Sequence, residues 1–132
     1  RIENGIQYGD VIEGVNFEYA GKLTAVNAIN LASLALAPLP PKNIMIGGAV
    51  KPSTRLKWDS PTDENIVAYR VYWRETTSPQ WEYSKLVGLN TDVTLENIVI
   101  DNYLFGVASV DKYGNESIVQ YPKTLIPRGL RR

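Results

Sequence analysis

Between residues 16 and 37 the apolar side chains recur at helical spacing, and past residue 40 they begin to alternate every second position. Asn16 opens the first stretch with a side-chain oxygen able to accept from the free amides of a first helical turn. Glu18 then falls where the helix dipole is positive. Ala20, Leu23, Val26, Ile29, Leu31 and Leu34 carry the pattern forward, with Gly21 a mild cost. Pro38, Pro40 and Pro41 end it, because proline lacks the amide donor and crowds the preceding turn. The spacing predicts one helix over residues 16–37. From Ala28 on it is apolar nearly all round, interrupted only by Asn30 and Ser33. A helix of that kind is normally covered on several sides. It is therefore expected to pack against further chain or against a second copy.

The alternating region predicts strands over residues 43–50, 54–58, 67–75, 83–87, 91–96, 102–111 and 117–121. Turn residues separate them: Lys51-Pro52-Ser53, Asp59-Ser60-Pro61, Thr77-Ser78-Pro79, Gly88 to Asn90, and Lys112 to Asn115. Seven short strands with no helix between them indicate a mainly β fold, a seven-stranded antiparallel sandwich with an N-terminal α-helix. The expected organisation is an N-terminal segment 1–37, a proline-rich linker 38–42, a sandwich 43–127 and a tail 128–132.

Composition narrows the function. The 132 residues hold 14 Lys+Arg against 14 Asp+Glu and neither histidine nor cysteine. With no basic excess to neutralise phosphates, nucleic acid is not an expected partner, nor is an anionic membrane surface. No apolar run reaches the roughly 20 residues of a membrane span. Without imidazole or thiolate, this chain has no Ser-His-Asp or Cys-His mechanism and no His/Cys zinc site. Its opening on Arg1 rather than methionine predicts a fragment or a processed product. Asp59, Asp63, Glu64 and Asn65 offer oxygen donors of the kind calcium takes. The same residues suit a solvated turn before Pro61, and the turn is the expected reading. Asp111-Lys112-Tyr113-Gly114-Asn115 reads as a hairpin turn in which Gly114 or Asn115 takes positive φ. Asn115-Glu116-Ser117 also spells a glycosylation sequon.

Trp58, Tyr69-Arg70-Val71-Tyr72-Trp73, Leu95, Tyr103 through Asp111 and Gly114-Asn115-Glu116-Ser117 together resemble a fibronectin type III domain. The resemblance implies that Trp58 packs under the core and that Leu95 and Tyr103 form a tyrosine corner. It makes Trp58, Tyr69, Val71, Trp73, Leu95, Tyr103, Phe105 and Val107 the structural core. Strand alternation then sends Arg70, Tyr72, Arg74, Leu104, Ala108 and Val110 outward. Tyr72, Leu104, Ala108 and Val110 are expected to form an apolar patch rimmed by Arg70 and Arg74, joined by Trp81 and Tyr83. Such a patch would mark an interface. Leu31 and Leu34 of the helix are the other candidate interface residues.

Val15-Asn16-Phe17-Glu18-Tyr19, Leu31-Ala32-Ser33-Leu34-Ala35-Leu36-Ala37-Pro38 and Trp73-Arg74-Glu75-Thr76-Thr77-Ser78-Pro79-Gln80-Trp81 resemble the C-terminal end of bacterial secreted two-zinc aminopeptidases. In that family the last helix of the catalytic domain leads through a proline-rich hinge into a fibronectin-like module. The resemblance implies a secreted or periplasmic parent whose zinc lies upstream. Where the family places its last zinc-binding histidine, this chain reads Ile6-Gln7-Tyr8-Gly9-Asp10-Val11-Ile12. No catalytic, cofactor-binding or metal residue is carried over. The expected role is a non-catalytic accessory module that packs on or orients the catalytic domain of the same polypeptide, or pairs with its own copy. An independent adhesion or carbohydrate-binding module is the alternative, and carbohydrate binding needs two or more coplanar exposed aromatics, for which Tyr72, Trp81 and Tyr83 are the candidates. In a bacterial protein the sequon at Asn115 would be accidental.

Overall fold

Residues 1–9, 11–49 and 51–127 are described by the computed structural model. Asp10, the expected strand end at Val50 and the expected tail 128–132 lie outside the described residues. The chain divides into two compact units, Arg1–Ala35 and the part from Leu36 onward.

The first unit begins with a hairpin that short-range patterning did not announce. β1 (Ile2–Glu3) pairs antiparallel with β2 (Ile6–Gln7). Asn4 and Gly5 turn the chain with φ of 53° and 77°, the left-handed pair that a tight two-residue hairpin requires. A single 3₁₀ turn follows at Ile12–Gly14. Helix α1 then spans Phe17–Leu36. Asn16 caps it, its Oδ1 accepting the Tyr19 amide at 3.0 Å. Lys22 donates to Glu18 at 2.7 Å one turn back. Within its own unit α1 buries no residue.

The second unit holds β3 (Lys42–Gly47), β4 (Thr54–Asp59), β5 (Ile66–Glu75), β6 (Tyr83–Leu86), β7 (Asp92–Leu95), β8 (Tyr103–Asp111) and β9 (Thr124–Leu125). They form a four-stranded sheet in the order β7-β4-β3-β9 and a three-stranded sheet in the order β6-β5-β8. Together with β1 and β2 the described residues contain nine strands rather than seven. The expected strand at 117–121 is not a regular one. It touches β8 through isolated bridges at Gln120–Val107 and Glu116–Val110. The chain then crosses to the other sheet, where β9 runs parallel to β3, so the sandwich is not wholly antiparallel. Ile126 donates to Ile46 at 2.9 Å and holds that crossing in place.

Ile44, Leu56, Trp58, Tyr69, Val71, Leu95, Phe105 and Val107 are buried between the sheets, and Trp73 and Tyr103 pack half-buried against them. Each fully buried aliphatic or Phe side chain contributes about 1.5–3 kcal/mol. The Trp58 and Tyr69 rings meet edge to face, 5.4 Å between centroids. Tyr69 satisfies its hydroxyl on Ser60 at 2.6 Å. The proline-rich segment is part of this unit rather than a free linker. Pro38 and Pro41 are buried, and the Leu39 amide donates to Asp63 at 3.4 Å. Three prolines with fixed φ lay the segment down at little entropic cost.

Candidate interaction surface

The outer face of the β6-β5-β8 sheet carries the largest group of expected interface residues, and the structure closes most of it with the chain's own side chains. Register explains the arrangement. Arg70, Tyr72 and Arg74 on β5 stand opposite Ala108, Gly106 and Leu104 on β8. Glu116 lies on the far side of β8, bridged to Val110. Its carboxylate nevertheless accepts from Arg70 Nε at 2.8 Å and from the Tyr72 hydroxyl. To reach them it crosses the outer face of β8, which only small residues beneath permit. Gly106 and Ala108 are those residues.

An aromatic lid completes the cover. Trp81 folds back from the segment before β6 and lies between Tyr72, at 5.8 Å, and Tyr121, at 5.5 Å. The Arg74 guanidinium stands over the Trp81 ring at 5.7 Å and donates to the Ser78 carbonyl. A Cβ on Gly106 would come within 2.4 Å of Val119 and 3.0 Å of Trp81. Ala108 and Val110, expected to be exposed, are 0% and 8% exposed. The reason is that Glu116, Val119 and Trp81 roof the face onto which alternation directs them. Leu104, at the uncovered end, keeps 37% of its surface. Tyr83 does not join this group. It faces the other way and stacks on Trp73 at 5.7 Å, with 18° between the rings.

Burial raises the Tyr72 phenol to about 12, assisted by the hydrogen bond to Glu116 and by its charge, and opposed by Arg70. Tyr72 is therefore a neutral donor at any physiological pH. The rings are not coplanar, since Trp81 is tilted 41° to Tyr72 and 34° to Tyr121. Glu116 and Tyr121 were missed from sequence. The available signal was Gly106, since a glycine inside a strand often marks a close approach by another group.

The acidic residues at the second turn have separate structural roles. Asp63 Oδ1 accepts the Asn65 amide at 3.0 Å, and Asp59 accepts from Asn43 at 2.7 Å. Among the described residues no three His, Cys, Asp or Glu side chains converge as a metal site. A groove of about 750 Å³ runs over Gly47 on the outer face of the four-stranded sheet. Ile126 borders it on one side and the Arg55–Asp92 ion pair on the other. The hydrogen bond and charge of Asp92 push Arg55 up, and the hydrogen bond from Arg55 holds the Asp92 carboxyl low.

Leu31 and Leu34 are 68% and 59% exposed, as are Phe17, Val26, Ile29 and Leu36 to similar degrees. Within its own unit α1 thus leaves these apolar side chains uncovered. Among the described residues no helix is long and apolar enough to cross a membrane.

No family profile matches the chain. A probable zinc metalloprotease of Leptosphaeria maculans is 41% identical over 123 residues, covering 92% of this chain and 28% of that protein. One from Pyrenophora tritici-repentis is 37% identical over 123 residues, 92% of this chain and 25% of that protein. One from Pyricularia oryzae is 30% identical over 125 residues, 90% and 24%. The chain thus spans about a quarter of the length of the curated relatives it matches. These relatives are fungal probable zinc metalloproteases, which corrects the expected affiliation with bacterial aminopeptidases. Among solved structures, module A71 of human cardiac titin aligns with TM-score 0.52 and 21% identity, over 67% of this chain and 89% of that one. The FN3 domain of human collagen XX aligns with TM-score 0.51 and 22% identity, over 64% and 91%. The chain is similar over nearly its whole length to one stretch of fungal zinc metalloproteases, and its second unit is a fibronectin type III-like sandwich.

Proposed function

We propose that this chain is a non-catalytic accessory module of a secreted zinc metalloprotease-like polypeptide, and that α1 is the surface by which it attaches to the rest. The observation that carries the reading is the match itself, which uses 92% of this chain and only about a quarter of each relative. The remaining three quarters would hold the zinc and the peptidase chemistry that a chain without histidine or cysteine lacks. The apolar surface of α1 supports attachment there rather than through the sheet. Leaving Leu31, Leu34 and Leu36 in water forgoes about 1.5–3 kcal/mol of burial each, whereas the outer face of β8 is already roofed.

The test is site-specific photo-crosslinking in the full-length polypeptide. A benzophenone side chain at Leu31 or Leu34 is expected to capture upstream residues, while one at Tyr72 or Leu104 captures none. Crosslinks from the sheet positions alone would reverse the assignment of the surface. Hydrolysis of peptides by this chain by itself, with added zinc, would overturn the accessory role.

A further inference from the structure

Asn115-Glu116-Ser117 is the one Asn-x-Ser/Thr triplet in the sequence. Its bearing depends on the source, and the relatives are fungal. Eukaryotic secretory compartments modify such triplets on surface loops. The structure places this one in an accessible turn. Gly114 takes φ 86°, and Tyr113 beside it is 76% exposed. Asn115 is half-buried, and its Nδ2 donates to Asp111 Oδ2 at 2.9 Å. A carboxamide has two hydrogens. A sugar replaces one and leaves the other for Asp111, so the turn survives modification. Ser117 behaves differently. It is only 6% exposed, and its Oγ accepts the Ser109 amide at 2.9 Å. The folded chain therefore withholds the hydroxyl that the acceptor triplet needs.

We propose that Asn115 is an N-glycosylation site, modified on the nascent chain before residues 116–120 settle beside β8. The proposal rests on the secreted reading above. The amide nitrogen attacks the anomeric carbon of a polyisoprenyl-diphosphate-linked oligosaccharide. The new bond is N–C, the broken bond joins that carbon to the diphosphate oxygen, and polyisoprenyl diphosphate leaves as the amide proton goes to base. No redox change occurs. The glycan then stands at the end of the sandwich that carries the loop of Asp63 and Asn65. Lys112 donates to the Asn65 carbonyl at 3.0 Å, and the same loop takes the Leu39 amide on Asp63. That end is kept solvated and is excluded from docking.

The experiment is expression of the full-length polypeptide in a fungal host, followed by tryptic peptide mapping with and without peptide-N-glycosidase F. The peptide covering residues 113–123 is expected to be absent from the untreated secreted protein. It should appear after treatment with Asp in place of Asn115. Asn115→Gln and Ser117→Ala should each abolish the modification, and the wild-type map stands alone should either variant fail to fold. Secreted protein with unmodified Asn115 overturns this proposal and leaves the secreted reading intact. Protein retained in the cytosol overturns both.

Discussion

Gly106 decides the character of one sheet face by having no side chain. Every neighbour on β8 is a larger residue, yet Val119 and Trp81 rest where its Cβ would be. Gly106→Ala is expected to lower stability by about 1–3 kcal/mol through overpacking against a stiff valine. Combining it with Val119→Ala should recover part of the loss. Urea unfolding followed by tryptophan fluorescence measures both, and a coupling of about 0.5–3 kcal/mol is the expected sign of direct contact. Strict additivity would show that the roof is not built on this residue. Asp111 works by hydrogen bonding instead. Burial would raise its carboxyl, but the Asn115 side chain and the amides of Asn115, Tyr113 and Gly114 bond to it and hold it below its ordinary range.

At the scale of elements, the strap from Glu116 across β8 to β5 joins three stretches of chain that alternation treats as independent. Alternation in the sequence correctly distinguishes inward Tyr69 and Val71 from outward Arg70 and Tyr72. It misplaces Ala108 and Val110, because period two reports which face a side chain takes and not what lies on that face. The strap has a pH signature. The Tyr72 phenol moves from its ordinary 10.0 to about 12 in the fold. The unfolded chain therefore loses this proton first, and stability falls as pH rises through the window between about 10 and 12. Thermal unfolding across that window should show a decline that Tyr72→Phe flattens. An unchanged slope in the variant would mean that another group governs the alkaline limit. Helix α1 shows the reverse balance. Its start at Asn16 was fully legible because a cap is a local device, whereas what covers its apolar side chains is not a local matter.

For the whole molecule, the two units make separate predictions. All three tryptophans, at positions 58, 73 and 81, lie in the second unit, so fluorescence reports the sandwich alone. The segment beginning at Leu36 is expected to unfold cooperatively with a urea midpoint matching that of the full chain. A drop of more than about 0.5 kcal/mol, the usual scale of non-interacting changes, would show that Arg1–Ala35 supports the sandwich. The acid limb of either protein follows from the carboxyls held low at Asp92 and Asp111. Their contribution is present above the ordinary carboxylate value and is lost as pH falls through the lowered one.

The amino-acid sequence by itself determined the helix and its cap, six of the seven sandwich strands, the inward set around Trp58 and Tyr69, and the lack of histidine and cysteine. Each depends on local periodicity, turn chemistry or residue type. Tertiary structure alone decided that the outer sheet face is roofed, that the proline-rich segment lies within the sandwich unit, and that the last strand crosses to run parallel to β3. Those outcomes depend on which distant segments meet. Glu116 and Trp81 reach β5 and β8 only after the chain has folded back on itself, and no local pattern records that return.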